Sequence, residues 1–491
     1  MELYFEGHTY KYAVEQIMLM LFPGERPTYP AAPAGARRAR VTLREGDVWL
    51  TAATALTWDG RRCDGLARVK REACTDPMTA ERLRQRIVKQ SFYRAGVRLL
   101  GKKPEWGALS GVRPAKLLRG ILRETPDEQS AARRFMTLYD VSPERTALTL
   151  DAARAAMAAQ KSLGPRDVCL YVGIPFCPTR CAYCSFVSQS VEKSMHLIPP
   201  FLDALSQEIR ATGEAAARAG LRPAALYLGG GTPTTLSAQE LDALFQQLEA
   251  AFDLSACREI TVEAGRPDTI TREKLEALRA HGVDRVSVNP QTMSDKVLAA
   301  IGRRHSAAEV LRALECVRAV GGMRVNMDLI AGLPEDTAAG FADTLEQVLT
   351  LGVENITVHT LALKKGARIL LEGTLLPPAE AVGEMLETAQ SKLRAKGYAP
   401  YYLYRQKYMS GGFENVGWCL PGTENLYNIC IMEELCGILA MGAGGSSKLT
   451  DGSGRLVRRL APKYPPEYIA GVGALCADKQ SIIDFYREGS P

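Results

Sequence analysis

The sequence predicts an α/β protein: a parallel sheet with helices outside it, preceded by an α+β region and followed by a mixed one. Three observations carry this. Between residues 167 and 365, short β-branched runs alternate with amphipathic helical stretches, the pattern of successive βα units. Residues 1–166 hold 29 Lys and Arg against 18 Asp and Glu, whereas the remainder holds 32 against 37, so a basic region precedes a slightly acidic body. Residues 366–491 begin helical and then turn glycine-rich and aromatic.

In the first region, MELYFEG and RARVTLREGDVWLTAA read as extended, separated by the loop-like PTYPAAPAGARRAR. From Thr79, TAERLRQRIVKQSFYRAGVRLL has apolar positions three and four apart and predicts a helix. RPAKLLRGILRE predicts a second, with Arg113, Lys116, Arg119 and Arg123 on one face. DAARAAMAAQKSLG predicts a third, before a domain boundary at LGPRD. The strand candidates of the second region are VCLYVGI (168–174), AALYLGG (224–230), EITVEA (259–264), RVSVNP (285–290), RVNMDLI (324–330) and NITVHTL (355–361). Helical patterns such as PPFLDALSQEIRATGEAAARAG, SAQELDALFQQLEAAF and TREKLEALRAHG lie between them. In such sheets the chemistry collects at the C-terminal ends of the strands. The third region opens on the helical AEAVGEMLETAQSKLRAKG; the pattern beyond it assigns no secondary structure.

At 491 residues, with 46% hydrophobic and 24% charged, the composition excludes a disordered, collagen-like or low-complexity chain. No run of 18 apolar residues exists; the richest late stretch, Leu426 to Gly445, is broken by Glu433 and Glu434. The N-terminus lacks the features of a secretory signal, which predicts a cytoplasmic location and reduced cysteines. The basic first region points to an anionic partner; a solvated surface is the competing reading.

Among twelve cysteines, Cys177, Cys181 and Cys184 stand out as C-x3-C-x2-C just after the first strand of the βα series. Three thiolates on a short loop can hold three irons of a cubane cluster and leave the fourth iron open. Zinc is the alternative, although it prefers paired C-x2-C units or added His. Gly229, Gly230 and Gly231, followed by Thr232 and Pro233, end the second strand of the series. There the backbone can approach a ligand closely, or merely turn.

The IPFCPTRCAYCSF loop followed by GGGTPT (229–234) resembles the radical S-adenosylmethionine enzymes. Within that superfamily, YVGIPFC (171–177), DLIAGLP (328–334) and MGAGGSS (441–447) resemble the oxygen-independent coproporphyrinogen III oxidase family, nearest its HemZ-type dehydrogenases. The C-terminal run PYYLYRQKYMSGG, with the later NVGW and ENLYNI, narrows the likeness to that branch.

The resemblance implies a partial (β/α)6 TIM-type barrel over 167–365, a basic α+β region over 1–166 and a substrate-covering region over 366–491. It implies that Cys177, Cys181 and Cys184 ligate a [4Fe–4S] cluster whose open iron chelates S-adenosylmethionine. Gly230, Gly231 and Thr232 would line the methionine moiety, and Tyr171 would join the cofactor-binding residues. Glu263 would accept from the amino group, its alternative being a strand-end surface carboxylate. Gln291 and Asp328 would contact the ribose, and Tyr183 and Ile330 would flank the adenine. Arg303 would pair with the methionine carboxylate, with adjacent Arg304 as the competing choice.

The implied activity is radical decarboxylation of coproporphyrinogen III propionates to vinyl groups, giving protoporphyrinogen IX for haem biosynthesis. The implied partners are the tetrapyrrole, with Arg113 and Lys116 as candidate carboxylate contacts, and an electron donor such as flavodoxin or ferredoxin. A monomer is expected. A haem-binding relative without decarboxylase activity is the second reading, and a radical enzyme acting on RNA the third. No recognisable RNA-binding module is present, which argues against nucleic acid.

Three departures qualify the likeness. Phe186 stands where the best-known oxidases carry a fourth Cys, and Gly173 where they carry His. The segment Asn425 to Asn428 lacks the leading His and the Trp of the haem-trafficking HNxxYW motif. Tyr401, Tyr402, Tyr404 and Trp418 read either as core or as a macrocycle pocket, and Cys419, Cys430 and Cys436 as a weak second-cluster candidate.

Overall fold

The computed structural model describes residues 1–32, 34–184, 189–362, 369, 375–406, 410–451 and 454–488. Phe186 lies outside the described residues. The chain divides into two compact units, Met1–Leu150 and Asp151–Pro491. This division falls within the helix Pro143–Ser162, earlier than the boundary expected at 166.

In the first unit, β1 (Glu2–Glu6), β2 (Arg37–Glu45), β3 (Trp49–Trp58) and β4 (Arg61–Lys70) form a sheet in that order. β1 runs parallel to β2, and the other pairs are antiparallel. Leu50, Ala52, Thr54 and Leu56 alternate onto the buried face of β3, as a pleated strand requires. The same core takes in Ile17 and Met18 of the helix Lys11–Leu21, and Ile87, Val88 and Phe92 of the helix Pro77–Leu100. The longer helix starts where the Asp76 carboxylate accepts from the Met78 and Thr79 amides, and it stops at Gly101 (φ 68°). Lys11–Leu21 has no side-chain cap and is apolar on most sides, so its periodicity gives a weak signal. The basic stripe expected on Pro114–Arg123 is incomplete. Lys116 and Arg123 are exposed, but Arg119, 6% exposed, sits at the edge of the helix's apolar face.

The second unit contains an eleven-stranded sheet. Its centre is the six expected strands, parallel and adjacent in chain order: β5 (Asp167–Ile174), β8 (Arg222–Gly230), β9 (Ile260–Val262), β10 (Arg285–Ser287), β11 (Arg324–Ala331) and β12 (Asn355–Thr360). Between β5 and β8 lies the two-residue pair β6 (Phe176–Cys177) and β7 (Gln189–Ser190). Every residue of β5 except Tyr171 is buried, as befits a parallel strand covered on both faces. Capping boxes at Ser237/Glu240 and Ser306/Glu309 start two of the intervening helices. The result is an α/β fold in which a run of parallel βα units is extended at both sides.

Residues 366–491 supply the extensions. β13 (Ala399–Arg405) and β14 (Glu414–Cys419) add antiparallel strands beyond β12. β15 (Gly437–Gly442) inserts parallel beside β5, and β16 (Ser446–Thr450) and β17 (Leu456–Leu460) continue antiparallel to the other edge. Tyr401, Tyr402 and Trp418 are 2%, 5% and 2% exposed, and the two tyrosines pack with Ala156 and Ile429, so these aromatics are core. Cys419 joins that cluster and is not grouped with Cys430 and Cys436.

A buried polar hub fixes the central strands to the following chain. Arg285 of β10 donates to Asn355 Oδ1 and to the Thr423 and Glu424 carbonyls (3.0 and 3.2 Å), and it pairs with Glu259 at 3.4 Å. Glu259 also accepts from the amides of Leu426 and Tyr427. A second hub lies near the C-terminus, where Glu208 accepts from Lys479 Nζ and Tyr468 OH at 2.6 Å and from the Gly442 amide at 2.8 Å.

Candidate active site at the C-terminal strand ends

The C-terminal ends of β5, β8, β9, β10 and β11 bring the expected residues to one edge of the sheet. The cysteine loop leaves β5 through Pro175 and is anchored from several directions. Arg266, 3% exposed, donates to the Thr179 hydroxyl at 2.7 Å and is itself held by Asp268. The Ala182 amide donates to the Ile301 carbonyl, and the Cys184 amide closes a turn on the Cys181 carbonyl. The three cysteines are half-buried.

The glycine run lies directly against this loop. The Gly231 and Thr232 amides donate to the Ile174 and Phe176 carbonyls, both at 2.7 Å, and the Thr232 hydroxyl reaches Cys177 Sγ at 3.5 Å. A Cβ on Gly231 would come within 2.5 Å of the Phe176 carbonyl oxygen, so only glycine permits this approach. Gly230, at φ +106°, makes the bend that leaves β8.

Arg303 and Arg304 separate cleanly. Arg304 is exposed and pairs with Glu192 at 2.6 Å. Arg303 turns inward: Nη1 donates to the Asn289 carbonyl at 2.9 Å and Nη2 to the Tyr183 hydroxyl at 3.2 Å. Burial opposes its charge, but the Tyr183 phenol and the Cys181 thiol beside it hold the proton more firmly than in water. Among the described residues its Nε is buried with no partner, an unused donor.

Glu263, just past β9, accepts from Tyr227 OH at 2.6 Å. Burial pushes its carboxyl up to about 7, with the Asp328 charge adding and the Tyr227 hydrogen bond opposing. Asp328 on β11 accepts from Asn326 Nδ2 at 2.8 Å and lies 3.7 Å from His359 Nε2. Burial works to raise its pKa, but His359, Asn326 and Thr357 together hold it below the usual carboxylate range. Gln291 bridges to β11 on both sides, its amide to the Asp328 carbonyl and its carbonyl to the Ile330 amide. Its φ of +67° is a strained value for a non-glycine residue. Ile330 is packed with Val297, Leu298 and Ile301, and Tyr183 lies against the same cluster.

The sequence reading missed Tyr227, Tyr427, His359 and Arg266. One signal was available. L-Y-x-G occurs at 170–173 and 226–229, and the strand register pairs Leu170 with Leu226, Tyr171 with Tyr227 and Gly173 with Gly229. Tyr427 completes a stack, 4.4 Å from Tyr227 and 6.1 Å from Tyr171 between ring centroids. Gly173 faces Ala443, whose carbonyl oxygen would lie 3.1 Å from any added Cβ.

These groups suit the cofactor pair that the resemblance implies. Three half-buried thiols on one short loop suit three irons of a multi-iron cluster. The Arg303 Nε offers a free donor for a carboxylate, and Glu263 offers an acceptor for an amine once ionised.

That acceptor role carries a pH signature. Affinity of the cluster-loaded protein for S-adenosylmethionine is expected to fall as pH drops through about 7, because protonated Glu263 presents a donor where an acceptor is needed. Equilibrium dialysis from pH 6 to 8.5 measures this, and Glu263→Gln should bind weakly with a flat profile. The stability sign is opposite. A carboxyl raised by burial contributes most below its ordinary pKa and loses that contribution as pH rises through the folded value, so Glu263→Gln should gain thermal stability over the parent between pH 6 and 8.5.

Comparison with known proteins gives a consistent relationship. The Radical SAM superfamily model matches residues 171–348. The chain is 39% identical over 374 residues, 75% of each protein, to the oxygen-independent coproporphyrinogen-III oxidase-like protein HemZ of Bacillus subtilis. It is 34% identical over 239 residues to the heme chaperone HemW of the same organism, covering 47% of this chain and 61% of that one. Among solved structures, coproporphyrinogen III oxidase (HemN) from Escherichia coli superimposes with a TM-score of 0.53 at 25% identity, over 66% of this chain and 73% of that one. The chain belongs to the radical S-adenosylmethionine superfamily, whose members use a [4Fe–4S] cluster and S-adenosylmethionine, and within it to the HemN/HemZ-type family.

Proposed function

We propose that the protein carries out oxygen-independent oxidative decarboxylation of coproporphyrinogen III, converting propionates to vinyl groups on the way to protoporphyrinogen IX. The observation that carries this is the extent of the HemZ match. It runs over 374 residues, well beyond the 171–348 segment common to the superfamily.

When bound, the cluster and S-adenosylmethionine would supply a 5′-deoxyadenosyl radical able to take hydrogen from a propionate side chain, which then gives the vinyl group by losing carbon dioxide and passing one electron to a terminal acceptor. The chain's own residues do the positioning. Cys177, Cys181 and Cys184 hold the cluster, and Thr232 keeps the Cys177 sulfur oriented. Arg303 Nε donates to the methionine carboxylate, and Glu263 accepts from the amino group. Gly230 and Gly231 let the backbone lie against the methionine chain, beside Tyr171. Asp328 accepts from the ribose hydroxyls, with Gln291 fixing the turn beside it, and Tyr183 and Ile330 enclose the adenine. Residues 366–491 cover the substrate, excluding water from the reacting carbon. A low-potential carrier such as flavodoxin or ferredoxin delivers the electron.

The test is anaerobic: reconstituted protein, dithionite, S-adenosylmethionine and coproporphyrinogen III, with 5′-deoxyadenosine and tetrapyrrole followed together. Appearance of 5′-deoxyadenosine and protoporphyrinogen in step supports the proposal. Formation of 5′-deoxyadenosine over untouched tetrapyrrole points to another substrate or a missing electron acceptor, and persistence of that result with an acceptor added rejects this substrate. The HemW likeness favours a second reading, a haem carrier, which predicts one tightly held haem per chain without turnover. Against that reading, the Asn425–Asn428 segment lacks the His and Trp of the trafficking motif, and Tyr427 within it is 4% exposed.

A further inference from the structure

We propose that Cys169, Cys430 and Cys436 form a second metal site, separate from the cysteine loop, that takes one soft monovalent cation of the copper(I) class. The proposal is independent of the substrate assigned above. The three sulfurs lie within 4.8 Å of one another, with Cys169 Sγ and Cys436 Sγ 3.6 Å apart. They come from three places in the fold: β5, the helix Leu426–Glu433 and the turn before β15. Their exposures are 0%, 0% and 7%. A buried cysteine by itself is usually just a small apolar side chain. Three sulfurs converging from separate elements make a ligand set.

The set selects its ion on three grounds. Thiolates favour soft metals such as copper(I), zinc and iron–sulfur clusters. Closed zinc sites take four ligands, and among the described residues no fourth His, Cys, Asp or Glu atom joins these three. The close spacing suits one ion and not a multi-iron cluster. Copper(I) accepts a three-coordinate sulfur site, whereas zinc(II) here would lack its fourth ligand. The pocket wall is apolar, formed by Ala225, Ile438, Tyr427 and Leu435. The nearby carboxylates are already engaged, Asp167 by Arg222 and Arg258, and Glu259 by Arg285. The site also adjoins the Tyr171–Tyr227–Tyr427 stack, whose Tyr227 holds Glu263. An ion here would stiffen the wall behind the candidate active site.

The experiment uses the full chain with Cys177, Cys181 and Cys184 replaced by Ala, so that the loop cannot bind. Reduced protein is titrated anaerobically with copper(I) against bicinchoninate. The expected result is one equivalent bound per chain and a higher thermal midpoint, with zinc(II) bound far more weakly. Adding Cys430→Ala should lower copper(I) affinity by more than about 100-fold, because even outer-shell changes cost about 10- to 100-fold. Should that variant fail to fold, Cys436→Ala carries the same expectation. X-ray absorption at the copper edge should find sulfur neighbours alone. No uptake, uptake unchanged in the Cys430 and Cys436 variants, zinc bound as tightly, or nitrogen and oxygen neighbours would each overturn the proposal.

Discussion

Cys181→Ala is expected to remove cluster binding and 5′-deoxyadenosine formation together, lowering turnover by well over 100-fold. Loss of an outer-shell partner alone costs about 10- to 100-fold at a metal site, and this change deletes a ligand. Cys181 is the loop thiol beside Arg303, and its carbonyl closes the turn that carries Cys184. A hole here therefore affects two of the three sulfurs and the one guanidinium proposed to hold the methionine carboxylate. Iron and sulfide content after reconstitution measures the first effect, and anaerobic product assay the second. Cys476→Ala, on the helix Pro465–Asp478, is the matched control and should retain both. Retention of iron by Cys181→Ala would reject the ligand assignment.

Arg285→Met is expected to lower folding stability by about 3–5 kcal/mol, because it strands a buried carboxylate. Glu259 is 4% exposed, and burial pushes its carboxyl up even with Arg285 in place. Among the described residues, removing the guanidinium leaves only the amides of Leu426 and Tyr427 to hold it. Methionine fills much of the vacated volume, so the loss is electrostatic more than a matter of packing. Two consequences separate this from a cavity. Glu259→Gln in the Arg285→Met background should recover most of the loss. The deficit should also shrink as pH falls, since protonation of Glu259 relieves it. Denaturant unfolding of the anaerobic apo-protein at two pH values measures both.

The central fold was legible because its strands are continuous apolar runs ending in chemically unusual residues. VCLYVGI and AALYLGG became neighbouring β5 and β8, and the cysteine loop and glycine run followed them directly. Two kinds of element escaped. The helix Lys11–Leu21 lacks a cap and a polar face, and the strands beyond 399 owe their places to distant partners. The pattern around Gly437–Gly442 assigns no secondary structure, and only pairing with β5 makes it a strand. The expected site residues were those within motifs, together with Glu263, Gln291 and Arg303, which the resemblance placed at or after strand ends. His359 and Arg266 lie outside any motif, Tyr427 sits in a run whose spacing assigned it no role, and the topology alone brings the three near Asp328, Thr179 and Tyr227. The cysteine triad is the sharpest case. Cys169 is about 260 residues from its partners, so counting intervals along the chain grouped Cys430 and Cys436 with Cys419 instead.

The pairing of β5 with β15 bears on how the protein is made. Ribosomes add about 5–20 residues per second. The edge of β5 therefore waits roughly 15 to 50 seconds for the residues that cover it. During that interval a flat, apolar strand edge is open to pairing with other chains. Co-translational chaperone demand should accordingly concentrate on chains stalled between β5 and β15, and a stop codon before Gly437 should yield aggregates in place of a shorter soluble protein.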